Sequence, residues 1–378
     1  MRIGIDIRPM LETKRSGVAI YTARLLDALF ARQTPAGRVY ALFCNAYGRP
    51  LPADLPPPSP TLEHRFHHYP NRLLNASLAF LDAPKIEDLT GGADLVYLPN
   101  LNFVATARPI IVTVHDLSFE RYPEFFSAKQ KLWHALVRPR RLLRQAAAVV
   151  AVSEHTKTDI VETYGLAPER VRVISPGVGG EFFPQGEEEK KRVRDKCGLG
   201  ETPFFLFLGT LEPRKNVEGI IAAFEKLSGP ANLVIAGGKG WLYRKIFRRA
   251  ADSPAKDRIK FLDYVSEADK PALYAAATAL VYPSFYEGFG MPPLEAMASG
   301  TPVIASQASS LGEVVGDAGL LVDPDDIAEI ADAMRTMSDE ETLRQRCSER
   351  GLARARSYGW EISAERLDKL FSDMAGVK

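Results

Sequence analysis

Short apolar, β-branched runs recur along the chain, separated by stretches whose apolar residues return every three or four positions. Runs at 3–7, 39–43, 95–98, 110–114 and 148–152 read as buried strands, with helices at 20–31 and 138–147 between some of them. The pattern then restarts. Strand-like runs fall at 204–208, 232–236, 259–261, 279–281 and 302–305, and helices fit 216–227, 270–276 and 327–337. Alternating β and α elements predict parallel sheets with crossover helices, and two such series predict an α/β chain of two doubly wound domains.

The boundary falls after a further strand at 171–174, in the Pro- and Gly-rich segment 175–180. Composition alone fits an ordinary loop as well as a hinge, and its position between the two series favours the hinge. The predicted domains cover 1–177 and 178–359. A tail carrying Trp360, Leu367, Leu370 and Phe371 at helical spacing is expected to form a last helix, 360–378, packing back on the first domain. The proline-rich segment 50–60 is expected to be a surface loop.

At 378 residues the chain is too long for one ordinary core. Cys44, Cys197 and Cys347 lie far apart, which argues for a reducing compartment and against a disulfide framework or a zinc site. The start, MRIGIDIRPM, reads as a strand rather than a signal peptide, and no uncharged run approaches the ~20 residues needed to span a bilayer. A cytoplasmic location is expected. Residues 1–178 carry 22 Lys+Arg against 16 Asp+Glu, whereas 179–378 carry 26 against 31, within an overall +1. A basic half and an acidic half suggest different ligands for each. The cations are not interleaved with aromatic motifs, so nucleic acid is not the expected partner.

Ligands of open α/β sheets bind beyond the carboxyl ends of the strands. After 204–208 comes GTLEPRKN, with Gly209, Arg214 and Lys215 at the mouth of the sheet. After 232–236 comes GGKG, with Gly237 and Lys239. After 279–281 comes YPSFYEGFGMPPLEAMASGTPVI, in which Glu287 and Glu295 flank the turn Gly288, Phe289 and Gly290. Pro292 and Pro293 suit the first turn of a helix containing Glu295. One carboxylate on a loop and another inside the next helix suit a polyhydroxylated, phosphate-bearing ligand better than an acid–base pair. The Arg-Lys pair alone reads better as a solvated helix start, although cations there oppose the helix dipole. Its coincidence with the glycines and glutamates favours anion binding.

These motifs, with FLDYVSEADKPALYAAA, resemble the retaining glycosyltransferases of the GT-B fold, family 4, densely over 204–325 and more loosely at Ser16-Gly17 and at TVHD (113–116). The resemblance implies two Rossmann-like domains facing each other across a cleft, the first binding an acceptor and the second a nucleotide-diphosphate sugar. It implies that Glu287 holds donor-sugar hydroxyls, with Gly288, Phe289 and Gly290 beside the sugar and its phosphate. Glu295 would accept from the ribose, Arg214 and Lys215 would neutralise the diphosphate, and Tyr264 and Val265 would lie near the base. His115 would face the sugar, against the alternative of a histidine that merely satisfies a strand end. Gly17 would let the first loop approach diphosphate or acceptor, with Ser16 and Tyr21 on the acceptor side; many relatives carry Gly-Gly where this chain has Ser16-Gly17.

By the same resemblance, no metal and no cofactor is expected, configuration is retained, and the departing phosphate helps deprotonate the acceptor. The wording around Glu287 looks most like bacterial mannosyltransferases using GDP-mannose on polysaccharide or lipid-linked glycans. A UDP-sugar transferase, a nucleotide-sugar epimerase and a non-catalytic binding module are the alternatives. Three further features carry competing readings. Asp323 and Asp325 spell DxD, but a helix follows, so N-capping is expected. His64, His67 and His68 lack Cys or carboxylate partners for a metal and read as a surface segment. The basic stretch 129–145, with Trp133, Arg138, Arg140, Arg141 and Arg144, fits either an anionic membrane surface or a helix with a solvated basic face.

Overall fold

The computed structural model describes residues 1–11, 16–48, 50–51 and 55–375. The chain divides into two compact units: Met1–Phe119, Ala128–Gly177 and the segment from Trp360 form unit 1, and Glu120–Ser127 with Val178–Gly359 form unit 2.

Unit 1 is built on strands β1 (Arg2–Asp6), β2 (Val39–Asn45), β3 (Leu62–His67), β4 (Leu95–Leu98), β5 (Ile110–Val114), β6 (Ala148–Ala151) and β7 (Val171–Val173). Unit 2 contains β8 (Phe204–Leu208), β9 (Asn232–Ala236), β10 (Ile259–Leu262), β11 (Ala279–Tyr282), β12 (Val303–Ser306) and β13 (Leu320–Val322). The sheet orders are β3-β2-β1-β4-β5-β6-β7 and β10-β9-β8-β11-β12-β13. Neighbours pair in parallel throughout the described residues. Central strands such as Phe204–Leu208 are buried along their whole length, as expected of strands covered on both faces by helices. In unit 2 the order reverses between β8 and β11, and such a switch point is where open parallel sheets leave a crevice for ligands.

The C-terminal helix Trp360–Ala375 packs in unit 1. Phe371 is fully buried against the rings of Tyr40 and Tyr97. Ser363 Oγ donates to Ser175 O at 2.6 Å, and Arg38 pairs with Asp368. Among the described residues no helix is long and apolar enough to cross a membrane.

Several elements differ from the sequence expectation. The helix read at 138–147 is Pro139–Gln145, and a second helix that the sequence reading missed, Ala128–Val137, precedes it across Arg138, whose φ is +55°. Pro139 takes the first helical position, where its missing N–H is harmless. The surface segment carrying His64 and His67 forms an edge strand, Leu62–His67, whose polar alternation hid it from the strand reading. His67 Nε2–H donates to Leu89 O at 2.9 Å. Residues 52–54 of the expected proline-rich loop and 376–378 of the expected last helix lie outside the described residues. Glu120–Ser127 falls in unit 2, not in the first domain where the reading 1–177 placed it, because its rings stack on aromatic side chains of that unit.

Candidate active site

Adjacent strands bring distant loops together. β8 and β11 pair directly, so the turn carrying Arg214 and Lys215 meets the loop carrying Glu287. The Arg214 turn is a short 3-10 segment, Pro213–Lys215, closed by Asn216 at φ +55° before the helix Val217–Phe224. Asn tolerates that left-handed conformation better than most residues. Its Nδ2 donates to Pro283 O at 3.2 Å and to Pro324 O at 2.7 Å, tying the turn to the ends of β11 and β13.

Glu287 is the centre of the cluster. Lys215 Nζ donates to its Oε1 at 2.6 Å and Arg214 Nη1 to its Oε2 at 2.8 Å. Lys215 Nζ also donates to Tyr282 Oη at 2.7 Å, and Arg214 Nη2 donates to Glu212 Oε1 at 2.7 Å. The loop itself is pinned: Glu287 N–H donates to Ser309 Oγ, and Ser310 Oγ–H donates to the carbonyls of Glu287 and Phe289, each at 2.9 Å. Burial alone would raise the Glu287 carboxyl, but the charges of Arg214 and Lys215 overcome it and hold the pKa at about 2. Burial, helped by Arg214, lowers the Lys215 ammonium against the pull of Glu287 and Glu212. Sequence reading found Arg214, Lys215 and Glu287 but missed Glu212, Tyr282, Asn216, Ser309 and Ser310. It also pictured the two cations as open to phosphate, whereas both are engaged with carboxylates.

Glu295 has the opposite environment. It lies inside the helix Met291–Ala298, and its Oε2 accepts from Tyr274 Oη at 2.9 Å. Burial pushes its pKa up to about 7 despite the opposing charge of Lys270, which forms an ion pair with Glu267 at 2.7 Å. Between the two glutamates, Gly290 sits at φ +111° with the methyl of Leu311 where a Cβ would go, so only glycine makes this turn into the helix. Gly288 and Phe289 are buried beside it, and the Phe289 ring meets Tyr358 edge-on.

The structure gathers Gly209, Gly237 and Lys239 at the neighbouring strand ends. Gly237, at φ +140°, has Gly209 O only 2.0 Å from an ideal Cβ, so packing between the two loops requires the glycine. Lys239 is exposed, with its ammonium 5.5 Å from the Phe247 ring centre. Tyr264, which is exposed, and Val265 follow the end of β10.

In unit 1, the Tyr21 ring meets His115 edge-on at 4.7 Å. His115 Nε2–H donates to Pro99 O at 2.8 Å, and because a carbonyl only accepts, this fixes the neutral tautomer with Nδ1 bare. Burial lowers its pKa. Ser16 caps the helix Gly17–Ala31 by accepting from Ala19 N–H. Among the described residues a Cβ at Gly17 would meet nothing within 4 Å, so their packing does not demand glycine there. Among the competing features, Asp326 rather than Asp323 or Asp325 is the N-cap of the helix Ile327–Asp339, accepting from Ala328 and Glu329 N–H. In the basic stretch, Trp133 turns inward against Phe103, while Leu132 and the cations Lys129, Lys131, Arg140, Arg141 and Arg144 face outward.

The chain thus joins two parallel α/β units, the second with a carboxylate held between two cations at its switch point. Residues 189–354 match the family described as glycosyl transferases group 1, and residues 15–180 match glycosyltransferase family 4. The chain is 33% identical to the O-antigen chain mannosyltransferase B of Escherichia coli over 70% of each protein. It is 34% identical to the O-antigen chain mannosyltransferase RfbU of Salmonella typhimurium over 57% of each. The fold is that of a sucrose-phosphate synthase from Thermosynechococcus elongatus, with a TM-score of 0.77 over the full length of both chains at 22% identity. The chain belongs to the group 1 glycosyl transferases, glycosyltransferase family 4, and has the GT-B fold. It is a hexosyltransferase.

Proposed function

We propose that the protein transfers mannose from GDP-mannose, with retention, onto a glycan or lipid-linked acceptor during assembly of a bacterial polysaccharide. The observation that carries the sugar-nucleotide reading is the Arg214–Glu287–Lys215 cluster at the β8/β11 switch point. A carboxylate held ionised beside two cations accepts hydroxyl donors from a sugar without acting as an acid. An ammonium has three donors, and two of those of Lys215 go to Glu287 and Tyr282. The third serves the leaving diphosphate, where fixed positive charge aimed at a developing anion has the largest effect on rate. Glu295 takes the ribose hydroxyls, and Tyr264 and Val265 flank the base. In unit 1, Ser16, Gly17 and Tyr21 serve the acceptor, and His115 serves the sugar.

Mannose rests on the O-antigen mannosyltransferase relatives. The departing phosphate oxygen takes the acceptor hydroxyl's proton as the new glycosidic bond forms and the bond to phosphate breaks. A membrane-borne acceptor would suit the outward cations around Leu132. A thermal-shift screen with GDP, UDP, ADP and their sugars tests the donor, because ligands that bind only the folded state raise its melting temperature. GDP-mannose is expected to give the largest shift. A larger shift with UDP-sugars selects the alternative donor, and no shift with any nucleotide contradicts the reading.

A further inference from the structure

Residues Glu120–Ser127 leave the unit to which their flanking sequence belongs and join unit 2. Within unit 2 their rings build two aromatic groups, joined through the backbone of Phe125 and Phe126. Tyr122 stacks on Phe125 at 5.5 Å and tilts onto Tyr286 at 5.6 Å. Phe125 stacks on Phe285 at 5.8 Å, and Phe126 on Trp241 at 5.7 Å. The Trp241 indole N–H donates to Phe125 O.

What these rings hold is the candidate donor site. Phe285 and Tyr286 immediately precede Glu287, and both are bonded to Arg214: Phe285 N–H donates to Arg214 O at 3.0 Å, and Arg214 Nη1 donates to Tyr286 O at 2.6 Å. Trp241 follows Lys239 and Gly240, and Gly240 packs so tightly against Leu211 that a Cβ would lie 2.7 Å from its carbonyl oxygen. The segment therefore grips two loops at once, one carrying Glu287 and the other Lys239.

We propose that Glu120–Ser127 is a positioning strap, which fixes the Glu287 corner and the Lys239–Trp241 loop relative to each other through Tyr122, Phe125 and Phe126. Its residues act through Phe285, Tyr286 and Trp241. The geometry Glu287 needs is set by this strap together with the Arg214 turn. Small displacements of positioned groups cost large factors in rate.

The inference rests on the sugar-nucleotide reading for its consequence, but its structural half is testable without any ligand. Hydrogen exchange on the ligand-free full chain should show peptides covering 238–242 and 283–290 exchanging about tenfold faster in Phe125→Ala than in the parent, with the rest of unit 2 unchanged. In steady-state assays the same variant should lose roughly tenfold in kcat while its affinity for free nucleotide stays within twofold. Phe125→Tyr, which keeps the ring, should restore both. Trp241→Phe keeps an aromatic ring against Phe126 but removes the N–H to Phe125 O and part of the indole, and should give a smaller local acceleration than Phe125→Ala. Unchanged exchange in both loops, or acceleration spread across unit 2, overturns the strap. Faster loop exchange with unaltered kcat overturns its role in positioning. Failure of the parent to bind any sugar nucleotide would instead sink the functional reading and leave the exchange result standing.

Discussion

Glu287 and Glu295 lie eight residues apart in one motif, are equally buried, and nonetheless live in opposite electrostatic settings. Glu287 is met by the ammonium of Lys215 and the guanidinium of Arg214, which hold it near 2. Glu295 sees one tyrosine hydroxyl and a lysine already paired with Glu267, and burial raises it to about 7. The difference comes from the strands rather than from the motif. Glu287 sits in the loop after β11 and so faces the loop after β8, while Glu295, one helical stretch later, faces the helix Lys270–Ala276 that bears Tyr274. Identical side chains thus become a permanent anion and a carboxyl poised to gain or lose a proton. Neither is arranged as the partner of the other in acid–base chemistry.

The largest effect is expected from breaking the Glu287 side. Lys215→Ala should reduce turnover by roughly two to three orders of magnitude, the scale on which a single oriented donor to a developing anion acts. Arg214 remains to hold Glu287, so circular dichroism should still report a folded chain. Near-parental turnover in a folded variant would remove Lys215 from the leaving-group role.

The next effect distinguishes the carboxyls by pH. The folded-state pKa of Glu295 lies above the ordinary carboxyl value of 4.5. Its contribution to stability is therefore fully present below about 4.5 and is lost as pH rises through about 7, by up to about 3 kcal/mol. Glu287 behaves in the opposite sense: its depressed pKa gives stability that persists above 4.5 and is lost only as pH falls toward 2. Urea unfolding between pH 4.5 and 8 should show Glu295→Gln flattening the decline seen in the parent. A parent and variant with parallel profiles would contradict the assignment.

Much of this was legible in the chain, for physical reasons that vary by element. Continuous apolar runs such as FFLFL identify central strands whatever their partners. β3, reading LEHRFH, escaped because an edge strand needs only one covered side and can be polar. The site followed the same rule. Arg214, Lys215 and Glu287 stood out because their sequence neighbours, glycines and prolines, mark turns. Tyr282 meets Lys215 across 67 residues and Asn216 meets Pro324 across 108, so no local signal joins them. The aromatic strap is further still, with Trp241 reaching Phe125 across 116 residues. At Gly237 the glycine answers to a neighbour in the fold, the carbonyl of Gly209 lying where a side chain would go, which no local sequence signal shows.

The contrast between the two glutamates is tested most directly by calorimetric titration of free nucleotide and of nucleotide sugar into Glu287→Gln and Glu295→Gln. Glu295→Gln should weaken free nucleotide about tenfold, or ~1.4 kcal/mol. Glu287→Gln should leave free nucleotide within twofold of the parent and abolish whatever extra affinity the sugar confers. Equal losses for both ligands in both variants would contradict the division of the motif into a sugar end and a ribose end.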